Sequence, residues 1–480
     1  MNTQRGSLRL AWYGDDFTGS AAVAEVLTFG GLPSALFLRI PTDSQMARIL
    51  PGLAAVGLAG TARAESPLWM DKNLPGIFDW LVGLGAEHIH YKVCSTMDSA
   101  PQIGSIGRAM DIGLRQLGAA WVPILFAAPE FGRYQAFGQM FAVAPSGIAR
   151  LDRHPVMVCH PVTPISEADV CRHLSKQTDA MLAPLMLDWM QTADSALRGV
   201  VALREAGVAG IALDSFDAGS SAVAGAVIAS ARFAIGSQGM QSALLAHLRL
   251  QGGLAPAPVA PKVLPVAKIA VVSGSVSAIT ARQIKRAQVA GFVSIPLDPS
   301  ALIGDAADAA SATAIDAALS VLAEGNSPVV HTACGPTDPR VERFNQIISA
   351  TGADKHVAER TVGEALGKIL RKIIDGSDVS RVIVAGGDTS GRTMEQIDIF
   401  ALCPVAPIAS GASLMRALSD TRRLDGLEIV LKGGQMGSDD LFLHVLDQAE
   451  PDHKEFPKRH DADRNKMVPW MAQVQHGRRQ

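Results

Sequence analysis

Residues 381–391 read RVIVAGGDTSG, and this stretch decides the fold. The apolar run from Val382 to Ala385 predicts a buried strand of a parallel sheet. Two glycines, an acidic residue, two hydroxyl residues and a third glycine follow it. Because glycine has no β-carbon, the backbone N–H groups of this turn can approach an anion at the carboxyl end of the strand. The stretch therefore predicts an α/β fold with a ligand-facing turn.

The same pattern of an apolar run followed by glycine occurs twice more, at residues 269–277 (IAVVSGSVS) and 429–437 (IVLKGGQMG). Taken singly, each turn is better explained as an ordinary tight turn. Three such turns in one half of the chain favour loops that converge on one phosphate-bearing ligand.

Size and composition limit the classes of protein to consider. The chain has 480 residues, 48% hydrophobic and 19% charged, which indicates a globular protein of two or three domains. The net charge of −3, without a basic stripe, argues against a nucleic-acid partner. The five cysteines form no CxxC pair, and the first residues lack the apolar core of a signal peptide. We therefore expect a cytoplasmic protein without a structural zinc site or a membrane span.

The first half of the chain alternates short apolar runs with helical patterns. It begins with a strand at 8–13 and a helix at 20–29 that Ser20 is predicted to cap. Further strands are predicted at 35–38, 53–58, 88–93 and 122–127, with helices around 77–84 and 106–117. This rhythm predicts a parallel sheet, whose ligands lie outside the carboxyl ends of the strands.

Charged and polar residues follow four of these predicted strands. They are Asp15 and Asp16, Arg63, the segment Lys92, Val93, Cys94, Ser95 and Thr96, and Arg133. On one rim of a sheet they would suit a small, anionic, polyhydroxylated ligand, since arginine binds a carboxylate through two hydrogen bonds. Each charge alone is better explained as a solvated loop residue. Adjacent Asp15 and Asp16 repel each other and need a cation or hydrogen-bond donors nearby.

A proline- and glycine-rich stretch, residues 251–265, divides the chain. We therefore predict two α/β domains, each a mainly parallel sheet flanked by helices, at 1–250 and 266–450. Residues 451–480 are predicted to form a polar, charged tail.

Several motifs of known enzymes are absent or incomplete. Residues 386–393 match a P-loop except that Arg392 stands where lysine belongs. No GxGxxG follows a strand, and adjacent Asp15 and Asp16 lack the spacing of an aspartyl-phosphate phosphatase.

Six motifs, in their order and spacing, resemble the four-carbon acid sugar kinases, a family once known only as a domain of unknown function. They are GDDFTG at 14–19, GR at 132–133, HPVTP at 160–164, VSGS at 272–275, AGGDTSG at 385–391 and KGGQMG at 432–437. The family includes the 3-oxo-tetronate and threonate kinases.

The resemblance implies an N-terminal substrate domain and a C-terminal ATP domain, with ATP and Mg²⁺ as cofactors. It predicts a kinase that phosphorylates a terminal hydroxyl of a small acid sugar (3-oxo-tetronate, threonate, erythronate or a branched relative). Asp16 is the predicted general base, with Asp15 as the less favoured choice. Predicted substrate contacts are Asp15, Asp16, Arg63, Lys92, Cys94, Ser95, Thr96 and Arg133. Predicted nucleotide contacts are Ser273, Gly274, Ser275, Gly386, Gly387, Asp388, Thr389, Gly391, Gly433, Gly434 and Gly437. No side chain is assigned to a metal, and a homodimer is left open.

The segment after the fourth strand departs from the family pattern KIDSTLRG. Cys94 replaces the aspartate, and Asp98 and Ser99 replace the arginine–glycine pair. This difference favours another acid sugar, with branched 3-oxo-isoapionate as one candidate. Two other classes of function stay open at this point. One is a regulatory protein that binds ATP without turnover, and the other is a metal-dependent aldolase or hydrolase that uses Asp15 and Asp16.

Overall fold

The computed structural model describes residues 8–144, 146–160, 162–257, 259, 264–409 and 411–447, except for the side chain of Asp388. The predicted tail at 451–480, Pro161 of the HPVTP motif and part of the predicted linker lie outside these residues.

The N-terminal half alternates strands and helices, as predicted, and adds a small antiparallel sheet. Its strands are β1 (Leu10–Gly14), β2 (Ser34–Phe37), β3 (Ala55–Ala59), β4 (His88–Lys92), β5 (Val122–Leu125), β6 (Arg133–Ala136), β7 (Gln139–Ala144), β8 (Gly147–Arg150), β9 (Leu182–Leu185), β10 (Gly210–Leu213) and β11 (Phe233–Gly236). Its helices are α1 (Phe17–Phe29), α2 (Asp43–Ile49), α3 (Pro67–Gly83), α4 (Ile106–Leu117), α5 (Val170–Leu174), α6 (Ala193–Glu205), α7 (Ala218–Ala229) and α8 (Gly239–Leu250).

The C-terminal half repeats the alternation and inserts an antiparallel hairpin before its last strand. Its strands are β12 (Ala270–Ser273), β13 (Val293–Pro296), β14 (Pro328–His331), β15 (Arg381–Ala385), β16 (Ala401–Ala409), β17 (Ala412–Leu418) and β18 (Glu428–Lys432). Its helices are α9 (Ala278–Val289), α10 (Ala307–Ala323), α11 (Pro339–Thr351), α12 (Lys355–Asp375), α13 (Gly387–Glu395) and α14 (Leu441–Asp447). The predicted strand at 382–385 is β15, and all five of its residues are buried.

The sheets of the two halves join into one sheet of 15 strands, in the order β13-β14-β12-β15-β18-β17-β16-β2-β3-β1-β4-β11-β5-β10-β9. Strands β2 and β16 form the junction, where Leu36 pairs with Leu402 and Phe37 with Ala401. The predicted α/β class, with a mainly parallel sheet in each half, is confirmed. Strands β6, β7 and β8 form a separate antiparallel sheet beside β5.

The junction reverses the direction of the strands. The pairs β18–β17, β17–β16 and β16–β2 are all antiparallel, so the parallel strands of the two halves run in opposite directions. In a flat sheet their carboxyl ends would lie at opposite edges. A twist of roughly 20–25° per strand amounts to about 120–150° over the six steps from β1 to β15, which turns the two sets of carboxyl ends toward each other.

Helix α1 lies at the centre of this arrangement. One continuous hydrophobic core contains Trp12 and Phe17 from the first half together with Val382, Val384 and Met394 from the second. Asp15 and Asp16, which lie between Trp12 and Phe17, are therefore held by the same hydrophobic core as the glycine turn at 386–391. Among the described helices, none combines the length and the apolar character that a membrane span needs.

Candidate active site

Asp15 and Asp16 lie where β1 turns into α1. Asp16 is the N-cap of this helix, and its Oδ2 accepts hydrogen bonds from Gly19 N (3.1 Å) and Thr18 Oγ1 (2.7 Å). The predicted capping by Ser20 is wrong, because the Ser20 hydroxyl donates to the backbone oxygen of Asp16 (2.6 Å). Capping of the free N–H groups fixes the Asp16 carboxylate at the edge of the sheet.

Arg63 and Lys92 balance the charge of the two aspartates. Arg63 Nη2 donates to Asp15 Oδ1 (3.0 Å) and to Asp16 Oδ1 (2.8 Å). Lys92 Nζ lies 3.5 Å from Asp16 Oδ1. Of these four side chains, that of Arg63 is the most exposed, at 21%. The predicted rim residues therefore form one nearly buried cluster in which each carboxylate has a cationic partner.

The two aspartates have different protonation equilibria. Burial raises the pKa of Asp15 to about 6, and Arg63 offsets only part of this effect. Burial also acts on Asp16, but Arg63 and Lys92, with the hydrogen bonds from Thr18 and Gly19, lower its pKa far below the ordinary value. Asp16 is thus a fixed anion, whereas Asp15 can exchange a proton near neutral pH.

The segment after β4 forms a chain of hydrogen bonds beside this cluster. Cys94 Sγ lies 2.9 Å from Thr96 Oγ1, which donates to Asp98 Oδ1 (2.8 Å). Burial raises the pKa of the Cys94 thiol to about 11, so this sulfur is a neutral group. Ser95 makes no side-chain hydrogen bond within the described part of the chain. Asp98 was not among the predicted contacts. Its spacing of two residues from Thr96, and of four from Cys94, could have indicated that the three side chains lie on one side of the segment.

Arg133, the first residue of β6, is a cation without a carboxylate partner among the described side chains. Its Nη1 donates to the backbone oxygens of Phe131 and Gly132 at 3.3 Å, and its buried Nε has no acceptor there. Burial lowers the pKa of Arg133, while Cys94 and Asp98 act in the opposite direction. Arg133 therefore has guanidinium N–H groups available for a ligand, whereas Nε and Nη2 of Arg63 already donate to carboxylates.

The three glycine turns of the second half meet at one edge, because β12, β15 and β18 are neighbouring parallel strands. A β-carbon on Gly274 would stand 2.5 Å from Thr389 Oγ1, and one on Gly434 would stand 3.0 Å from Ser275 Oγ. Gly386 has a φ of +133°, a conformation that favours glycine. The turns that carry the predicted nucleotide contacts thus follow three neighbouring strands. These contacts are Ser273, Gly274, Ser275, Gly386, Gly387, Thr389, Gly391, Gly433, Gly434 and Gly437.

Sequence reasoning missed two polar residues beneath these turns. Lys432 is fully buried at the end of β18, and its Nζ donates to Thr280 Oγ1 (2.8 Å) and to Gly433 O (3.0 Å). Thr280 Oγ1 also donates to Ser275 Oγ (3.0 Å). A lysine that ends an otherwise apolar run was the signal that could have singled out this position.

Members of both sets of predicted contacts line one cleft. Asp15, Asp16 and Arg63 line it from one side, and Gly387 and Gly391 from α13 line it from the other. Arg392, at the lysine position of the incomplete P-loop, instead points across to Glu65 (3.7 Å) and along its own helix to Glu395 (3.2 Å). The start of α13 therefore opens toward the aspartates.

The donor set of the cleft fits a polyphosphate better than a metal held by protein alone. Glycine turns and the start of a helix leave backbone N–H groups for an anion. Within the described residues, no group of three His, Cys, Asp or Glu side chains could hold a metal ion. A magnesium ion that enters with a nucleotide needs only one or two carboxylates beside the phosphate oxygens, which this cleft can supply.

Two family models match the two halves of the chain. A sugar-binding N-terminal domain matches residues 10–244, and a nucleotide-binding C-terminal domain matches residues 270–442. The chain is 44% identical to the 3-oxo-isoapionate kinase of Paraburkholderia graminis, over 91% of this chain and 93% of that protein. It is 29% identical to the 3-oxo-tetronate kinase of Methylobacterium radiotolerans, over 92% of this chain and 99% of that protein.

Solved structures share the fold. A Salmonella typhimurium protein superposes with a TM-score of 0.75 at 21% identity, over 92% of this chain and all of the other. A Haemophilus influenzae protein gives a TM-score of 0.68 at 22% identity, over 91% of this chain and 98% of the other.

Proposed function

Since the chain belongs to the four-carbon acid sugar kinase family, we propose that it transfers the terminal phosphoryl group of ATP to a hydroxyl of 3-oxo-isoapionate or a closely similar branched sugar acid. The protein is an ATP-dependent acid sugar kinase. The identity of the substrate, a branched sugar acid, is the more specific part of this proposal. It is supported by the 44% identity to a 3-oxo-isoapionate kinase and by Cys94 and Asp98 in the substrate rim.

One observation carries the proposal: the buried aspartates and the start of α13 line the same cleft. Phosphoryl transfer needs an acceptor hydroxyl in line with the terminal phosphate and positive charge around it. Asp15 lies on the acceptor side of the cleft, and Gly387 lies on the nucleotide side. This arrangement supports a substrate hydroxyl bound beside Asp15, opposite the terminal phosphate of ATP.

On the nucleotide side, the turns after β12, β15 and β18 bind the triphosphate. Their glycines leave the backbone accessible, and α13 presents the N–H groups of its first turn, where a helix favours negative charge. Magnesium, when bound with the nucleotide, neutralises charge on the phosphate oxygens. Asp15 and Asp16 are the carboxylates that line this cleft among the described residues.

On the acceptor side, Arg133 binds the substrate carboxylate. Arg63, the other arginine among the predicted substrate contacts, is less suited to this task, because its Nη2 already contacts both Asp15 and Asp16. Arg133 has no carboxylate partner among the described residues, and its charge interacts with Cys94 and Asp98. A substrate carboxylate at Arg133 would lie near Asp98, whose charge acts on both Arg133 and Arg63.

Asp15 acts as the general base. The sequence favoured Asp16, which remains a competing prediction. A base works best when its pKa lies near the operating pH, and the pKa of Asp15 is about 6 whereas that of Asp16 is far lower. Asp16 instead keeps Arg63 and Lys92 in place through its ion pairs.

We also place the enzyme in the cytoplasm. Its five cysteines are all free thiols, which supports a reducing compartment. ATP, its phosphoryl donor, is available there.

A coupled assay of ADP release tests the function. We expect 3-oxo-isoapionate to give the highest kcat/KM among C4 and C5 sugar acids and their 3-oxo forms. A higher kcat/KM for an unbranched 3-oxo-tetronate would overturn the branched substrate but keep the kinase. ATP binding without ADP release for any acid would favour a regulatory protein, and turnover without ATP would favour an aldolase or hydrolase.

A further inference from the structure

Lys432 is a buried cation for which the function described above gives no role. Its side chain has no exposed surface, and its Nζ donates to Thr280 Oγ1 (2.8 Å), Gly433 O (3.0 Å) and Gly434 O (3.3 Å). These three acceptors are uncharged. Burying an ammonium group without an anion destabilises the folded protein, even when hydrogen bonds remain. Such a group needs a reason to be retained.

No charged side chain among those described balances Lys432. On α9, Arg282 and Arg286 face outward and pair with Asp439 (2.9 Å) and Asp440 (2.6 Å) at the outer end of the following loop. At the other end of β18, Glu428 pairs with Arg381 (2.6 Å). Burial alone lowers the pKa of Lys432 to about 7, so the buried amine can lose its proton near neutral pH.

The contacts of Lys432 shape the loop that follows it. Its Nζ and Thr280 Oγ1 hold the carbonyl of Gly434, and Gln283 Nε2 holds those of Met436 (3.0 Å) and Ser438 (2.8 Å). With these carbonyls turned inward, the N–H groups of Gly434 and Gln435 have no acceptor in the described part of the chain. A loop with inward carbonyls and free N–H groups is a binding site for an anion.

We propose that Lys432 is a positioning residue that holds the loop 433–438 ready for the polyphosphate of ATP, and that its amine takes up one proton from solvent when ATP binds. The inference rests on the nucleotide site proposed above. The bound phosphate supplies the negative charge that the ammonium lacks in the free protein. A neutral amine keeps two N–H groups, enough to donate to the carbonyls of Gly433 and Gly434, and its lone pair can accept the single hydroxyl proton of Thr280. The loop therefore stays held through these two carbonyls before ATP arrives, while Thr280 gives up its hydrogen bond to Ser275 or Gly434.

The sign of the pH dependence follows from this scheme. Below pH 7 the amine is largely protonated with or without ATP, and no proton is taken up. Above pH 7 the free protein holds a neutral amine and the complex an ammonium, so ATP affinity falls as pH rises. The limit for one proton is about tenfold per pH unit.

Isothermal titration calorimetry with MgATP, without sugar acid, tests the proposal. Titrations at pH 8 in buffers of different ionisation enthalpy give the number of protons exchanged. The phosphate groups of ATP are then fully ionised, since a phosphate's second pKa is about 6. We expect wild type to take up between about half and one proton. Lys432→Arg, whose charge is permanent, should bind MgATP with almost no proton uptake and with affinity nearly constant from pH 7 to 9. Lys432→Met should bind more weakly and also take up none.

The exposed Lys368 on α12 provides the matched control, and Lys368→Met should behave as wild type. Binding of MgATP by wild type without proton uptake would overturn the role of Lys432 and leave the kinase assignment intact. Equal proton uptake by wild type and Lys432→Arg would assign the proton to another group and overturn it as well. If wild type bound no MgATP, the nucleotide site itself would be wrong, and this inference with it.

Discussion

The ring of Phe17 packs against Gly391, so closely that a β-carbon at position 391 would stand 2.9 Å from Phe17 Cδ2. Phe17 is the first residue of α1 and follows Asp16, while Gly391 lies in α13. We predict that this contact sets the distance between Asp16 and the glycine turn at 386–391. We expect Gly391→Ala to widen the cleft and lower kcat by about 100-fold, the cost of a displacement near 1 Å.

Steady-state kinetics and thermal melting check this prediction. Gly76→Ala on α3 is the control, because a β-carbon there meets no neighbour within 4 Å and wild-type kcat is expected. An unchanged kcat in Gly391→Ala would show that the contact does not set the transfer distance.

Asp15 and Asp16 should respond differently to the same substitution. Asp15→Asn removes the base and should lower kcat roughly 10²–10⁴-fold, with a small change in KM. Asp16→Asn keeps a good helix cap but leaves Arg63 and Lys92 less well held, so both kcat and KM should change. A larger kcat loss in Asp16→Asn than in Asp15→Asn would restore Asp16 as the base.

The pH profile gives an independent check of the same assignment. A general base must be deprotonated, so kcat/KM should fall as the pH drops through about 6, the pKa of Asp15. The position of this acid limb is measured in wild type between pH 5 and 8. An acid limb well below pH 5 would point to the more acidic Asp16.

Arg133 should hold the substrate carboxylate. Arg133→Ala should raise KM for the sugar acid at least tenfold, while KM for ATP stays nearly constant, because a carboxylate anchor acts equally in ground and transition states. Arg63→Ala should instead lower the melting temperature, because it leaves Asp15 and Asp16 with one cation. If Arg63→Ala raised only KM for the sugar acid and kept its stability, Arg63 would be the anchor.

The first residue of α13, Gly387, should admit a phosphate group only while its side chain is small. Gly387 has open space around its β-carbon position, so valine there leaves the fold intact but occupies the space in front of the helix. Gly387→Val should therefore weaken MgATP binding without unfolding the protein. Calorimetric titration of the variant measures the affinity, and wild-type affinity would remove this turn from the nucleotide site.

Local patterns in the sequence were enough to predict most of the parallel sheet. Apolar runs such as 382–385 are buried strands, because a strand covered on both faces needs apolar residues throughout. The pairing of β2 with β16 was out of reach, since Leu36 and Leu402 lie far apart in the chain and neither sequence specifies its partner. Strands β6 and β8 are mostly half-buried or exposed and contain no long apolar run. The apolar run at 140–144 in β7 was not predicted as a strand, although burial of every second residue is typical of an antiparallel strand.

The sequence indicated which residues gather at the candidate site better than it indicated the role of each residue. Charged residues after strand ends indicated the rim, but only coordinates show that Arg63 is engaged by two aspartates while Arg133 is not. Similarly, the capping oxygen belongs to Asp16 because α1 begins at Phe17, three residues before the predicted start at Ser20. The division of the chain at 251–265 remains a prediction.

The products formed from MgATP and 3-oxo-isoapionate test the central claim most directly. Phosphorus-31 NMR, with mass spectrometry of the sugar acid, measures where the terminal phosphate goes. The account predicts one phosphorylated sugar acid for each ADP, no ADP without the sugar acid, and neither product at a comparable rate in Asp15→Asn. ADP that appears with free inorganic phosphate, whether or not a sugar acid is present, would contradict it.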